Sequence, residues 1–498
     1  MHPHTLFAAI DLGSNSFRLE IGHLDAGHLR RVEYIKETVR QGNGLDDERN
    51  LTVEAMQRGW DCLARFGERI CGFKARQVRA VATQTLREAR NREVFLEKAK
   101  AILGFPIEVI TGREEARLIY LGVSHLLPQS DERRLVIDIG GRSTELILGQ
   151  HAEAKALESY RVGSVGWSMK YFADGLWTNA SFKAAEIAAK AVLDEAQTIY
   201  TRDSWDTCYG SSGTVGAVAD VLTLAGWPPG IVNREGLDWL KDKLLKAQKS
   251  DNLRIEGVKE DRKPVIGGGL AVLRALFDLL QINQMFAAQG ALRHGALYDL
   301  LDRESPQTDV RSNMIEWLTH RFGVDMAQAE RVSHTAQCLL SPLIQSTDKD
   351  YTERHLRKVH WASHLHEVGM HIAHSDYYKH GAYILDNTDL PGFTIDELHR
   401  LSQLVLGHRG KLRKLEAELH NPLFVQQLMA LRLAVIFCHA RRDPDISSVQ
   451  LRCDVMRRNA RLSFQSTWTE QWPQSAHLLR EEAEAWQKIG WNLHMEVL

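Results

Sequence analysis

The sequence predicts a mixed α/β protein in which two related half-domains face each other across a cleft, followed by a helical region. Two strand–Asp-x-Gly–strand patterns occur in the first part of the chain, at Phe7–Gly22 and Leu135–Gly149. Apolar runs of strand length alternate with helical periodicity up to about residue 305. Beyond Asp309 helical periodicity dominates to about Arg442, and a short tryptophan-rich segment that follows suggests a small α/β unit.

The Leu135–Gly149 pattern, LVIDIGGRSTELILG, contains an acid at the end of an apolar run and a glycine turn after it. We expect Gly140 and Gly141 to adopt positive φ and to let the backbone approach a ligand. Successive backbone N–H groups in such a turn form an anion site. Asp138 alone would repel a phosphate, so a divalent metal between them would make chemical sense. An ordinary hairpin with a glycine turn explains this stretch equally well on its own.

The N-terminal pattern repeats this arrangement, because Asp11 and Gly13 take the places of Asp138 and Gly140. Ser14, Asn15 and Ser16 fill its turn. A third glycine loop, YGSSGTVGAVA at 209–219, is predicted to open a helix at Ser211, Ser212 and Gly213, and helix N-termini bind anions. Each loop is weak evidence alone, but the ordered set of three predicts a phosphate-binding cleft.

Composition excludes several classes of protein. The formal net charge of −2 gives no basic excess for binding nucleic acid or an anionic membrane surface. The six cysteines lack CxxC spacing, which is typical of reduced thiols in a cytosolic protein. The start, MHPHTLFAAIDLG, does not read as a signal peptide, and no apolar run approaches the roughly 20 residues that cross a bilayer. We therefore expect a cytoplasmic protein without DNA or membrane partners.

The first half-domain is predicted to begin with a β-meander and to continue as alternating helices and strands. Thr52 is predicted to cap the first helix. Arg87 is predicted to open the helix that follows the strand at 78–83, where a planar guanidinium can meet phosphate. An ordinary surface arginine is the alternative. The predicted elements are a meander at 7–35, a helix at 52–70, a strand at 78–83, a helix at 86–103 and a strand at 105–110.

The segment TGREEARLIYLGV contains the strongest candidate for a general base. Thr111 and Glu114 have capping-box spacing, which offers Glu114 a structural task. Glu115 instead falls within the apolar stripe of the helix, formed by Leu118, Ile119, Gly122, Val123 and Leu126. A carboxylate on a buried face is costly unless it is paired or catalytic. A partly exposed acid favoured by the helix N-terminus is the alternative.

The second half-domain continues in the same mixed pattern, and the helical region after it is rich in histidine. The predicted elements are a helix at 180–200, a strand at 205–209, a helix at 265–280 and a strand–turn–helix at 286–298. The helical region has histidines at 334, 364, 366, 371, 374, 380 and 408. Clustered histidines can bind metal. The LHEVG segment resembles the metal-binding HD superfamily, but Glu367 stands where that superfamily needs Asp, so we favour a scaffold without metal.

Several motifs along the chain together resemble the exopolyphosphatase / guanosine pentaphosphate phosphohydrolase family. They are AAIDLGSNSF, VATQTLREARN, ITGREEARLIYLGV, VIDIGGRSTEL, GSSGT, GLAVL, GALRHG, LHEVG and HGAYILDNTDLPGF. The resemblance implies a duplicated actin-like (ribonuclease H-like, ASKHA) phosphatase core, an HD-like helical domain and a small C-terminal domain. It places the domains at 1–125, 126–308, 309–450 and 451–498, and implies a homodimer that uses Mg²⁺.

The resemblance also implies roles for individual residues. Glu115 matches the family's catalytic base, Asp138 and Glu145 match acids around the metal and the attacking water, and Arg87 matches an arginine that approaches the phosphate chain. Phosphate-loop positions fall on Ser14, Asn15, Gly140, Gly141, Ser143, Ser212 and Gly213, and the duplicated pattern adds Asp11. Arg142 departs from the family, which has a small residue there; it can add a phosphate contact or crowd the loop.

Within the family, GWDCL at 59–63, IFCHARRDPD at 436–445 and the short N-terminus favour the branch that hydrolyses guanosine pentaphosphate (pppGpp) to ppGpp and phosphate in the stringent response. LGHRGKLRKLE at 406–416 is more similar to the branch that degrades polyphosphate. Two other classes remain as alternatives from the sequence. One is an actin-like kinase, which also has duplicated Asp-x-Gly hairpins, and the other is a non-enzymatic alarmone sensor.

Overall fold

The fold was analysed in a computed structural model, which describes residues 5–25, 28–128, 130–302, 309–346 and 349–497. The chain divides into two compact units. The first comprises residues 1–309 together with 389–395, and the second comprises residues 310–388 and 396–498. Within the described residues, no helix has the length and apolar character needed to cross a membrane.

The first unit contains two sheets, of which the N-terminal one has the order β3-β2-β1-β4-β5. β1 to β3 form an antiparallel meander, whereas β4 and β5 run parallel to β1. The strands are β1 (Leu6–Leu12), β2 (Ser16–Asp25), β3 (His28–Thr38), β4 (Val78–Ala82) and β5 (Ile107–Val109). The helices are α1 (Val53–Arg69), α2 (Gln84–Glu88), α3 (Arg92–Leu103) and α4 (Gly112–Ser124).

The second sheet repeats this topology with one added edge strand, in the order β10-β11-β9-β6-β7-β8. Its strands are β6 (Arg133–Ile139), β7 (Thr144–Gln150), β8 (Glu153–Tyr160), β9 (Thr207–Ser211), β10 (Ile231–Asn233) and β11 (Gln284–Ala287). Its helices are α5 (Ser164–Tyr171), α6 (Asn179–Val192), α7 (Ala196–Ile199), α8 (Ser212–Leu224), α9 (Arg234–Ala247), α10 (Ile266–Leu279) and α11 (Leu292–Asp302). The internal repeat expected from the two Asp-x-Gly patterns is therefore present.

Two helices join the sheets. α4 packs on β7 and β8, and α11 packs on β1 and β4, so each helix crosses to the sheet of the other half-domain. The helices also pack on each other so closely that a Cβ added to Gly295 would lie 1.8 Å from the carbonyl oxygen of Leu118. Glycine at this position lets the backbones meet. Glu115, in the first turn of α4, is thereby held between the sheets.

The second unit is helical and ends in a three-stranded sheet. Its helices are α12 (Val310–Arg321), α13 (Met326–Leu340), α14 (Lys349–Leu365), α15 (Tyr377–Asp386), α16 (Ile395–Gly407), α17 (Pro422–Phe437), α18 (Ser466–Gln471) and α19 (Pro473–Gln487). The strands β12 (Gln450–Asp454), β13 (Asn459–Phe464) and β14 (Asn492–Val497) form the sheet, in that order.

Three predictions about local structure were wrong. The helix predicted at 86–103 is two helices, because Asn91 bonds both backbone groups of Leu51 and interrupts the chain between α2 and α3. The helix predicted at 180–200 is likewise broken, between α6 and α7. Leu126, placed in the apolar stripe, lies beyond the end of α4 and is 43% exposed.

Candidate active site

The two Asp-x-Gly loops have the same geometry. A Cβ added to Gly13 would lie 3.0 Å from the carbonyl oxygen of Ser16, and one added to Gly140 would lie 3.1 Å from that of Ser143. A Cβ on Gly141 would come within 3.0 Å of the Ser14 Cβ, so the two loops approach each other. Neither Gly140 nor Gly141 has a positive φ, so that prediction was wrong. These glycines are needed for space and not for an unusual backbone conformation.

The third loop contains a strained residue. Ser212 has φ of +82°, in the left-handed region that non-glycine residues rarely occupy. Its hydroxyl donates to the carbonyl oxygen of Ile139 at 2.9 Å, as does the hydroxyl of Thr214. Both bonds tie the start of α8 to the end of β6, next to Asp138. Such strain persists where surrounding contacts over-determine it, often at functional sites.

A cavity of about 330 Å³ in the first unit joins the three loops. Glu115 and most of the predicted loop residues line it. Its walls include Asp11, Ser14, Asn15, Asp138, Gly140, Gly141, Ser143, Ser212 and Gly213. Of the residues predicted for the site, Glu145, Arg87 and Arg142 are not among the described residues of the cavity wall. The structure thus brings residues from three distant stretches of sequence to one cavity.

Four buried carboxylates cluster at this cavity or directly behind it. Asp11, Glu115, Asp138 and Glu145 are each no more than 8% exposed. Burial raises the pKa of Glu115 to about 7, opposed chiefly by the Arg87 guanidinium. Burial likewise raises the pKa of Asp138 to about 6, opposed by a hydrogen bond with Ser211. The pKa of Glu145 is raised by burial and by the neighbouring charges of Glu115 and Asp138.

The two half-domains differ at one equivalent position. In the first sheet Asp11 lies opposite Arg18, which donates to it at 2.9 Å. In the second sheet Asp138 lies opposite Glu145, which accepts from the Ser159 hydroxyl at 2.7 Å. The duplicated pattern therefore has a cation in one half-domain and an acid in the other. Acid oxygens accumulate on the Asp138 side of the cleft.

The predicted site arginines both bond to protein groups. Arg87 donates to Glu115 at 3.0 Å and to the Ile110 carbonyl oxygen at 2.7 Å, and it also bonds Gln84. Arg142 donates to Glu88 at 3.1 Å and to the Gly42 carbonyl oxygen at 3.2 Å. Arg87 therefore contacts the candidate base, whereas the side chain of Arg142 is held against α2.

Arg262 is a residue of the cavity wall that was not predicted from the sequence. Its guanidinium makes no hydrogen bond or ion pair to any residue that the structure describes, although burial and Arg18 lower its pKa. It lies directly over the third loop, where a Cβ on Gly213 would be 2.0 Å from Nη2. Four more cations line the cavity, namely Arg18, Lys36, Lys259 and Arg293. Arg262 stands in the charged run KEDRK, which has no feature that distinguishes it from a solvated loop.

Glu114, next to the candidate base, belongs to a separate buried network. The Thr111 hydroxyl caps α4 by accepting from the Glu114 N–H, as predicted. The Glu114 side chain does not complete a capping box; it pairs with Arg79 and Arg117, which both also contact Asp299. Two adjacent glutamates thus lie in different environments, one neutralised and one surrounded by other acids.

Comparison with known proteins gives matches along nearly the whole chain. Residues 21–304 match the Ppx/GppA phosphatase family, and residues 310–483 match Ppx/GppA phosphatase, domain III. A protein of Vibrio atlanticus named guanosine-5'-triphosphate,3'-diphosphate pyrophosphatase is 38% identical over 496 residues, covering 99% of this chain and 98% of its own length. One of the same name from Aeromonas hydrophila is 39% identical over 497 residues, covering 99% of each chain.

A solved structure matches part of the chain. The crystal structure of an exopolyphosphatase-like protein has a TM-score of 0.55 and 26% sequence identity. The match covers 60% of this chain and all of that one. The likeness therefore supports the mixed α/β fold.

Proposed function

The chain belongs to the Ppx/GppA phosphatase family, and we propose that it hydrolyses the terminal 5'-phosphate of pppGpp to give ppGpp and orthophosphate. The name of its full-length relatives supports this substrate. The observation that carries the proposal is the placement of Glu115, a buried acid with a pKa raised to about 7, on the wall of a cavity bordered by three glycine loops. A general base works best when its pKa lies near the operating pH.

The acid cluster fits a divalent cation. Of the four buried carboxylates, Asp11 pairs with Arg18 and Glu115 with Arg87, whereas Asp138 and Glu145 form no ion pair with any residue that the structure describes. Mg²⁺ prefers carboxylate oxygens and substrate phosphate oxygens. We infer that Asp138 and Glu145 hold it, with Asp11 nearby. When bound, the ion supplies positive charge that offsets the charge of the terminal phosphate.

The side chains and loops of the protein account for the remaining chemistry. The backbone N–H groups of the loops around Ser14, Gly141 and Gly213 bind the terminal phosphate. Arg262 pairs with the triphosphate chain of pppGpp. Glu115 takes a proton from water as the water attacks phosphorus in line, and the leaving group is the shortened nucleotide. Arg87, through its bond to Glu115, orients the base. The sequence-based role of Arg87 at the phosphate itself stays a prediction.

Polyphosphate hydrolysis is the second candidate function. Five cations line the cavity, and a row of cations can bind an inorganic polyphosphate as well as a nucleotide.

We also propose the finer predictions that the resemblance to the family implied. They are the actin-like class of the core, the HD-like class of the helical domain, the four domain boundaries, the homodimer and the cytoplasmic location.

Parallel kinetics of phosphate release, with pppGpp and with long-chain polyphosphate, test the proposal. We expect Mg²⁺-dependent release from pppGpp without any acceptor, and Glu115→Gln should lower turnover at least about a hundredfold. Arg113→Ala, which removes a partly exposed neighbour on the same helix, is the matched control and should retain activity. Release from polyphosphate alone would favour the second candidate. Tight binding without release would leave an alarmone sensor, and an ATP-dependent phosphorylated product would leave a kinase.

A further inference from the structure

The histidines of the second unit do not assemble where the LHEVG motif pointed. His366 bonds through Nδ1 to the Ser363 carbonyl oxygen, and His408 bonds to the Val405 carbonyl oxygen and the Tyr377 hydroxyl. Both rings are buried, and they lie edge to face at 5.3 Å. Within the described part of the chain, this pair belongs to no group of three potential metal ligands. These histidines therefore pack as part of the helical core.

A different group of three side chains has the arrangement of a metal site. Glu330 lies on α13, and His360 and His364 lie one turn apart on α14. One potential ligand atom from each lies within 4.8 Å of the other two. Side chains at i and i+4 on a helix point to the same side, so both imidazoles face the neighbouring helix. His360 was not among the histidines singled out from the sequence.

The hydrogen bonds of His364 leave a nitrogen lone pair facing a carboxylate. Its Nδ1 lies 2.9 Å from the His360 carbonyl oxygen, which can only accept, so Nδ1 carries the proton. Its Nε2 lies 3.3 Å from Oε2 of Glu330. In the neutral tautomer these two lone pairs repel each other, and the contact is favourable only with a cation or a second proton between them.

His360 is oriented by a second layer of hydrogen bonds. Its Nδ1 lies 2.8 Å from the Ser333 hydroxyl, which also accepts from Gln337 at 3.0 Å. This leaves Nε2 of His360 for a ligand. Histidines that bind metals usually engage their other ring nitrogen in this way, which fixes the tautomer and the orientation of the ring.

We propose that Glu330, His360 and His364 bind a divalent transition-metal ion of the zinc class. Two imidazoles and one carboxylate are a common zinc donor set, with water in the fourth position. The two nitrogen donors make Mg²⁺ a poor occupant, because it prefers oxygen ligands. The bound ion would join α13 to α14 and is distinct from the Mg²⁺ of the hydrolytic site. The proposal does not depend on the proposed function.

Metal titration of the full-length, tag-free protein tests the site. After removal of metals by a chelator, Zn²⁺ affinity is measured by competition with a chromophoric chelator, and Co²⁺ is used as an absorbing substitute. Glu330→Gln is the main variant, because this side chain is 67% exposed and its replacement leaves the core intact. His364→Ala is the second variant, and His420→Ala removes an exposed histidine outside the group as the control.

The wild-type chain and His420→Ala should bind one Zn²⁺ more tightly than Glu330→Gln by at least about tenfold, and His364→Ala should lose the site. Zn²⁺ should raise the melting temperature of the wild type and not that of Glu330→Gln. Equal Zn²⁺ affinity and stoichiometry in all four proteins would overturn the proposal and leave an ion pair between His364 and Glu330. If Zn²⁺ binding is lost in Asp138→Asn and kept in Glu330→Gln and His364→Ala, the ion binds at the acid cluster, and the proposal is also overturned.

Discussion

At the scale of single residues, the environment of Glu115 determines what it can do. Its neighbour Glu114 has the same side chain and is equally buried, yet two arginines neutralise it and its pKa is lowered chiefly by Arg117 against the effect of burial. Burial raises the pKa of Glu115, the charges of Asp11 and Asp138 act in the same direction, and the guanidinium of Arg87 only partly opposes them. A pKa near neutrality is what a base needs, and a firmly ionised, neutralised acid is what a structural network needs.

The pH dependence of catalysis should depend on the contact between Arg87 and Glu115. As the proposed general base, Glu115 would act only when deprotonated, so kcat/KM should rise with pH through its pKa and then level off. Arg87 lowers that pKa, and Arg87→Met removes the effect. We expect the rising limb to move to higher pH in Arg87→Met and to stay near its wild-type position in Arg87→Lys, which keeps the charge. An unchanged limb in both variants would show that Arg87 does not control the base.

Arg262 should contribute to binding of the substrate. Hydrogen bonds to charged groups contribute about 1.5–3 kcal/mol, which corresponds to a roughly tenfold to hundredfold change in affinity. Arg262→Met should therefore raise KM for pppGpp by about that factor without unfolding the chain, because the guanidinium has no partner among the described residues. Lys259→Ala, at a more exposed cavity cation, should have a smaller effect. Steady-state kinetics measures KM. Equal melting temperatures of the wild type and the variants would show that a change in KM comes from binding and not from folding.

At the scale of elements, α4 has two tasks that the sequence pattern does not separate. Its apolar residues join the core cluster that also contains Val136 and Ile147 of the second sheet. Its first turn carries both glutamates. The apolar stripe showed that Glu115 would be buried, since burial follows from helical periodicity alone. It could not show that Glu114 is buried as well, because Arg79 and Asp299 come from distant strands and helices.

Removal of Glu114 should destabilise the fold. Among the described residues, Glu114→Ala leaves Arg79 and Arg117 buried with Asp299 as their one fully buried partner, and breaking a buried pair costs about 3–5 kcal/mol. Arg113→Ala breaks a more exposed pair with Glu158, and we expect a loss of no more than about 1 kcal/mol. Urea unfolding of both variants measures the difference. Similar stability of the two would mean that the buried network contributes little.

At the scale of the whole molecule, the acid cluster links stability to pH. Glu115 and Asp138 have pKa values of about 7 and about 6 in the folded chain, above the ordinary values of 4.5 and 3.8 for these side chains. For each group, at pH values between its ordinary pKa and its pKa in the folded chain, the folded state binds more protons than the unfolded state. Stability therefore falls as pH rises through this range. The contribution of these two groups ends once both are ionised in the folded chain, and Glu145, whose pKa is also raised, acts in the same direction.

Without Mg²⁺, the melting temperature should decrease between about pH 4.5 and pH 7 in the wild type and decrease less in Glu115→Gln. Added Mg²⁺ should raise the melting temperature most at the upper end of this range, where the carboxylates are ionised, and by less in Asp138→Asn. Thermal unfolding at several pH values, with and without Mg²⁺, measures both effects. If Mg²⁺ does not change the melting temperature of the wild type, the proposal that the acid cluster binds a metal ion is contradicted.

The sequence by itself determined the family, the mixed α/β character, the internal repeat, and the three glycine loops and Glu115 of the cavity wall. These follow from local information, because strand ends, glycine turns and helical periodicity are written in consecutive residues. Only the tertiary structure decided that α4 and α11 cross between the sheets, that Arg262 lies over Gly213, and that Glu330 meets two histidines of another helix. Such contacts join residues far apart in the chain, and their energy depends on burial and on partners that no local pattern records.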